Sequence, residues 1–295
     1  MVYVYVLVFR DTSLFLQMTV ISATFLSKTN PSSKIIVLTD ELTDFSLYPA
    51  QLELLIALNV EIVSVNTGEI DPVRSSRYIK LTLPTIINET AWYLDGDTLP
   101  LVDISETVVA GDLGLVRDLN QDSTEFLINS ARARDCSSMD WRLPTYPYYN
   151  SGVIYLKNTI SVQEVFKNAL DLWLSAKAKG LSCGDQLPLN ISISSMPNVV
   201  VTMLDDSYNA QIRASPSVAV GARILHIFSG SIKKHNDTVL HALIRTMSTD
   251  CSLAEKIINN LLKTGNPWLK NSKQHYLFPL RRQCRKVRDI LSRNQ

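Results

Sequence analysis

The sequence lacks any apolar run of the roughly 18–20 residues needed to cross a bilayer. It also lacks a leader pattern. Residues 1–9 are apolar but carry neither a basic n-region nor a small-residue cleavage site. They read as a first buried strand, and the expected location is the cytoplasm. Cysteine is scarce: Cys136, Cys183, Cys251 and Cys284 are far apart and form no CxxC pair. That argues against a zinc site or a disulfide framework and for free thiols. No glycine follows the first apolar run, whose exit is Phe9-Arg10-Asp11-Thr12-Ser13. A nucleotidyltransferase that cradles phosphate on a Gly-rich loop is therefore the weaker alternative among enzymes. Internal repeats, low-complexity segments and nucleic-acid fold signatures are missing too, so no nucleic-acid partner is expected.

What is present is an alternation of short apolar runs with stretches of helical periodicity. Strands are predicted at 2–9, 34–38, 60–65, 91–94, 114–117, 148–156, 199–204 and 223–228. Helices are predicted at 14–27, 52–58, 74–87 (despite Pro84) and 161–179. Strands of 4–8 residues spaced by such helices indicate βαβ units and a mostly parallel sheet flanked by helices, an α/β class. Residues 118–141 are polar and read as a long loop. In open α/β sheets ligands bind outside the carboxyl ends of the strands, so polar strand exits are the informative positions. They are Phe9-Arg10-Asp11, Thr39-Asp40 and Asp95-Gly96-Asp97.

Asp95 and Asp97, one residue apart after a buried strand, can both reach one hard cation, with Gly96 keeping the turn free of a side chain. A polar turn after a strand has the same spelling. Lys80, on a predicted helix, can neutralise a diphosphate or orient an Asp. Asn150-Ser151-Gly152 interrupts an apolar strand, as either a simple bulge or a place where a ligand approaches backbone. Asp185-Gln186 opens a short helix, where Asp185 could equally be its N-cap. His226 ends a strand; a lone His is commonly structural.

The ordered blocks YIKL, YLDGDTLPL, YYNSGVIYLK, GDQLPLN and HIFSG, followed by Lys233, resemble glycosyltransferase family 8 and its relatives, the glycogenin-like and bacterial lipooligosaccharide galactosyltransferases. The resemblance covers residues 1–234. It implies a GT-A, Rossmann-like nucleotide-diphospho-sugar transferase fold, a UDP-sugar donor, a glycan, lipid-linked glycan or protein acceptor, and transfer with retention. It implies Asp95, Asp97 and His226 as ligands of a divalent cation. Mn²⁺ is preferred for its acceptance of imidazole, with Mg²⁺ the alternative. Asp185 and Gln186 are implied at the reacting face. Asp11, Lys80, Asp95, Gly96, Asn150, Ser151, Gly152, Gly230 and Lys233 are the expected donor-binding set. Two departures stand out: Lys233 is followed by Lys234-His235 where the family has Pro-Trp, and Leu187 replaces a third acid. A catalytically inactive scaffold that keeps the fold is the alternative outside enzymes.

The net charge of +1 hides an asymmetry. From residue 252 onward ten Lys/Arg face only Glu255 and Asp289. Residues 1–250 are expected to form the catalytic domain and 251–295 a basic helical extension, with helices near 253–263 and 280–293 and Pro279 in the first turn of the second. A basic amphipathic helix suits an anionic membrane surface, which would place the protein peripherally on the inner face of a membrane. The same helix could instead pack on the domain. Deleting 270–295 is expected to spare donor hydrolysis and lower vesicle binding.

Overall fold

The computed structural model describes residues 1–11, 14–121, 128–181, 183–227, 236–247 and 249–293, with side chains described through residue 285. Its centre is a seven-stranded sheet. The strands are β1 (Val2–Val6), β2 (Lys34–Asp40), β3 (Glu61–Val65), β4 (Ala91–Leu94), β6 (Leu113–Arg117), β7 (Tyr149–Leu156) and β8 (Val201–Met203). Their order is β3-β2-β1-β4-β7-β6-β8, parallel throughout except for β7. A second, three-stranded sheet, β5-β10-β9, joins β5 (Thr98–Pro100), β10 (Ile224–His226) and β9 (Ala210–Gln211).

β1 shows why the sequence adopts this layering. Side chains alternate across a strand. Val2 and Val4 enter one core, and Tyr3 and Tyr5 enter the core on the other face. The first core packs the sheet against α3 (Pro72–Leu81), α6 (Ile160–Ala178) and α7 (Gln186–Ser195). The second packs it against α1 (Leu14–Thr29) and α2 (Pro49–Ala57). Because both faces are covered, central strands read as continuous apolar runs rather than as alternating ones. A third core lies behind the small sheet. Met18, Ile21 and Phe25 of α1 meet Leu225, Leu240 of α8 (Val239–Thr246), Ile258 of α9 (Cys251–Thr264), Trp268, and Phe278 of α10 (Lys273–Arg293).

Three sequence expectations change. The helix expected over 74–87 is two: α3 stops at Leu81 and α4 (Leu83–Ile86) follows, with Pro84 in its first turn, where a missing N–H costs nothing. The loop expected over 118–141 contains α5 (Ala131–Met139), capped by Ser130 and burying only Cys136 and Met139. So sparse an apolar stripe leaves little periodicity to detect. Pro279 is not in a first turn: α10 begins at Lys273, six residues earlier. The ring deprives the helix of one internal hydrogen bond, to the carbonyl four residues back.

β1, β2, β4 and β6 all end at one edge of the sheet, and antiparallel β7 begins there. That edge carries Asp11, Asp40, Asp95, Asp118 and Asn150.

Candidate active site

A cleft of about 760 Å³ opens on this edge. It is lined by Asp11, Lys80, Asp95, Gly96, Asp97, Asn150, Ser151, Gly152, Asp185, Gln186 and His226, together with Arg77 and Arg132. Every candidate site residue among the described residues therefore faces one space. Gly230 and Lys233 lie outside the described residues.

Asp95 and Asp97 sit in the turn between β4 and β5. β5 pairs antiparallel with β10, so Thr98 lies opposite His226, and Ile227 N–H donates to the Asp97 carbonyl at 3.0 Å. That register carries His226 to Asp97 from a distance of 129 residues. His226 Nε2 lies 3.2 Å from Asp97 Oδ1 and 4.0 Å from Asp95 Oδ2. One ligand atom from each of the three residues falls within 4.8 Å of the others. Burial pulls the His226 pKa down, but the Asp97 carboxylate beside it holds it above the ordinary imidazole value.

The ring is oriented from behind. His226 Nδ1 is 2.8 Å from Asn209 Oδ1, and Asn209 Nδ2 donates to Asn150 Oδ1 at 2.8 Å. With its amide nitrogen so engaged, Asn209 presents its oxygen to His226. Nδ1 then carries a proton, and Nε2 is the nitrogen that faces Asp97 and the cleft, the one that would bind a metal on giving up its proton, in the arrangement usual for metal-ligating histidines. Asn150 also accepts from Gly152 N–H at 2.9 Å. These contacts sit in a bulge of β7. β6 residues Leu115 and Val116 pair with Ile154 and Asn150, so 151–153 are extra residues relative to β6, and Ser151 and Gly152 among them line the cleft. A Cβ on Gly152 would lie 2.3 Å from His226 Cε1 and 2.8 Å from Asp95 Oδ2. The glycine thus leaves room for the three ligands to converge. Gly96 is required for a different contact: its Cβ would meet Thr19 Oγ1 of α1 at 2.6 Å.

Beside this set lies a buried ion network. Lys80 Nζ is 2.8 Å from Asp185 Oδ2, 3.3 Å from Asp95 Oδ1 and 3.2 Å from Ser151 Oγ. Ser151 Oγ donates to Asp185 Oδ2 at 2.8 Å, and the Tyr93 hydroxyl makes a short bond to Asp95 Oδ1. Burial opposes the charge on Lys80, yet its two carboxylate neighbours raise its pKa above the ordinary lysine value. Burial likewise opposes the charge on Asp185, but Lys80 and Ser151 hold it below the carboxylate range. Burial and the Asp95 charge push Tyr93 well above the usual phenol value. Asp185 stands at the N-cap position of α7, but its carboxylate makes no bond to the first turn and is turned to Lys80 and Ser151 instead. Gln186 is clamped as well: Oε1 accepts from Ser151 N–H at 3.2 Å and Nε2 donates to Asp118 Oδ2 at 2.7 Å.

Asp118, Asn209 and Tyr93 are parts of the site that sequence reasoning missed. Tyr93 stood within the conspicuous block. Asp118 and Asn209 carry no local signal, since each acts on a residue brought close only by the sheet.

No family model and no curated protein matches the chain. Solved structures do. A galactosyltransferase, LgtC, complexed with donor and acceptor sugar analogues, is 16% identical, with 88% of this chain and 96% of that one covered at a TM-score of 0.58. The bifunctional glycosyltransferase WbbM is 14% identical, with 87% and 51% covered and a TM-score of 0.58. Mouse xyloside xylosyltransferase 1 is 15% identical, with 77% and 98% covered and a TM-score of 0.51. At these identities the likeness is one of fold, and the fold is that of the GT-A glycosyltransferases.

Proposed function

We propose that the protein is a glycosyltransferase that moves a sugar from a UDP-sugar to an acceptor hydroxyl, with a divalent cation held by Asp95, Asp97 and His226. The observation that carries this reading is the convergence of those three ligands on the cleft floor beside the Lys80–Asp185 pair. Two carboxylates and one neutral imidazole suit a borderline cation, so Mn²⁺ is favoured over Mg²⁺. The space kept by Gly152 and the tautomer set by Asn209 fit such an ion. Its chemistry would be charge stabilisation on the departing diphosphate.

The chain's own residues account for the rest. Lys80 is a fixed positive charge in a site of low dielectric, where preorganised charge counts most as a leaving group gains negative charge. Gln186, fixed at both ends of its amide, presents an unreactive polar face to the sugar. Asp185 is the one carboxylate that could attack the anomeric carbon in a double displacement. Paired with Lys80 and Ser151, it is a poor nucleophile. That favours same-face substitution, with a leaving phosphate oxygen taking the acceptor proton, and hence retention. Asp11, at the β1 exit, and Gly230 and Lys233, beyond β10, complete the proposed donor site.

We place residues 251–295 as an extension of the catalytic domain. No helix among the described residues is long and apolar enough to cross a membrane. The basic face of α10 is suited to an anionic membrane surface, as an enzyme acting on a glycolipid acceptor would require.

UDP release is to be measured with UDP-glucose, UDP-galactose and UDP-N-acetylglucosamine, each with Mn²⁺ and with a chelator. Metal-dependent release with at least one donor is expected. Absence of both release and metal-dependent binding for every nucleotide sugar would leave the inactive scaffold as the reading.

A further inference from the structure

Resting on that reading, we propose that the sugar handled at the Asp185–Gln186 end of the cleft bears a carboxylate, bound beside Gly184 by Arg132 and Arg77.

Three observations meet there. First, a Cβ built on Gly184 meets nothing within 4 Å, although Gly184 lines the cleft and directly precedes the Asp185–Gln186 pair. There is open space next to the place where the sugar ring would sit. Second, two guanidiniums flank that space. Arg77 of α3 donates from Nη1 to the Cys183 carbonyl at 3.1 Å, and Arg132, in the first turn of α5, also lines the cleft. Both bear on the Cys183 thiol, which burial and Asp135 push up to about 11 against the pull of Arg132 and then Arg77. Third, Arg132 is only loosely paired. Asp185 is matched by Lys80 at 2.8 Å, while Arg132 reaches Asp135 only at 3.9 Å.

A neutral hexose gives this space nothing to neutralise. A hexuronate has a carboxylate where a hexose has a hydroxymethyl group, and a planar guanidinium matches it bidentately. The carboxylate could enter on the donor or on the acceptor, and matched pairs separate the two sources.

Dissociation constants would be measured with Mn²⁺ for UDP, UDP-glucose and UDP-glucuronate. With UDP bound, they would be measured for oligosaccharides ending in glucose or in glucuronate. The proteins are the wild type, Arg132→Gln and the charge-keeping Arg132→Lys, each checked for an unchanged thermal midpoint. A charged hydrogen-bonded contact on a half-exposed arginine predicts that the wild type binds the uronate member of one pair about 10-fold tighter. Arg132→Gln should erase that preference and Arg132→Lys should restore part of it. A preference in the donor pair assigns the carboxylate to the transferred sugar, and one in the acceptor pair assigns it to the acceptor. If wild type binds UDP but shows no preference in either pair, or a preference that Arg132→Gln leaves intact, the inference is overturned and the glycosyltransferase reading stands. If UDP itself does not bind with metal, both fall.

Discussion

His226 enters the cleft with its ring already set, because Asn209 holds Nδ1 and Asn150 holds Asn209. Partners of this kind contribute about 10–100-fold to metal affinity in other sites. Asn209→Leu should weaken Mn²⁺ binding by about that factor, measured by titration of the free ion signal. Asn209→Asp, which keeps an acceptor for Nδ1, should retain most of it. Equal affinity in all three proteins would mean that the ring needs no such support. Asp40 is a second decisive residue. Its buried carboxylate takes two bonds from Arg10, at 3.1 and 2.6 Å, and one each from Thr43 and Ser75. Burial alone would raise its pKa, but these bonds hold it below the ordinary carboxylate value. The sign follows: the contribution to stability is complete above the unfolded pKa of about 3.9 and is lost as pH falls through the lower folded value. Asp40→Asn should therefore cost about 3 kcal/mol at pH 7, and the gap to wild type should narrow in acid. Urea unfolding at neutral and acid pH checks this, and a gap independent of pH would contradict it.

Among the elements, the bulge in β7 matters most. Residues 151–153 leave the β6 ladder, turn Ser151 toward Lys80 and Asp185, and pass Gly152 beneath the metal-ligand set. Gly152→Ala would drive a methyl group into His226 and Asp95. Overpacking of this kind costs about 1–3 kcal/mol, but the larger effect should be on metal binding, because both clashing groups are ligands. Loss of metal-dependent UDP binding with a folded circular-dichroism spectrum is expected. Wild-type Mn²⁺ affinity would show that the ligand set has room to spare. The elements also explain what could be read in advance. Asp95-Gly96-Asp97 was visible because a strand exit is a local pattern, and so was the break at Asn150-Ser151-Gly152. Asp118 was not, since its meaning depends on Gln186, 68 residues away. α5 was hidden because a helix that buries two side chains has almost no apolar stripe. α10 starts earlier than its Pro279 suggested, since Phe278 anchors the turn before it in the third core.

At the scale of the molecule, the basic segment both packs and protrudes. Phe278 is 4% exposed within the core behind the small sheet, and Arg285 donates to the Val220 carbonyl. Tyr276 and Leu280 on the same helix are largely exposed. Deleting 270–295 would thus strip a core residue as well as the basic charges, and a loss of vesicle binding after that cut would not isolate charge. A stop after Arg285 keeps Phe278 and the Val220 contact while removing Lys286, Arg288 and Arg293 together with Asp289. Each basic residue near an anionic surface contributes about 1 kcal/mol, so a net loss of two charges should lower binding to phosphatidylglycerol vesicles roughly 30-fold. The effect should shrink in about 1 M salt, where the screening length falls to about 3 Å. UDP release should be unchanged, since the described lining of the cleft runs from Val6 to His226 in the chain. If sedimentation with anionic vesicles is the same for both lengths at low salt, the end of the helix is not the membrane contact, and the helix serves by packing on the domain instead.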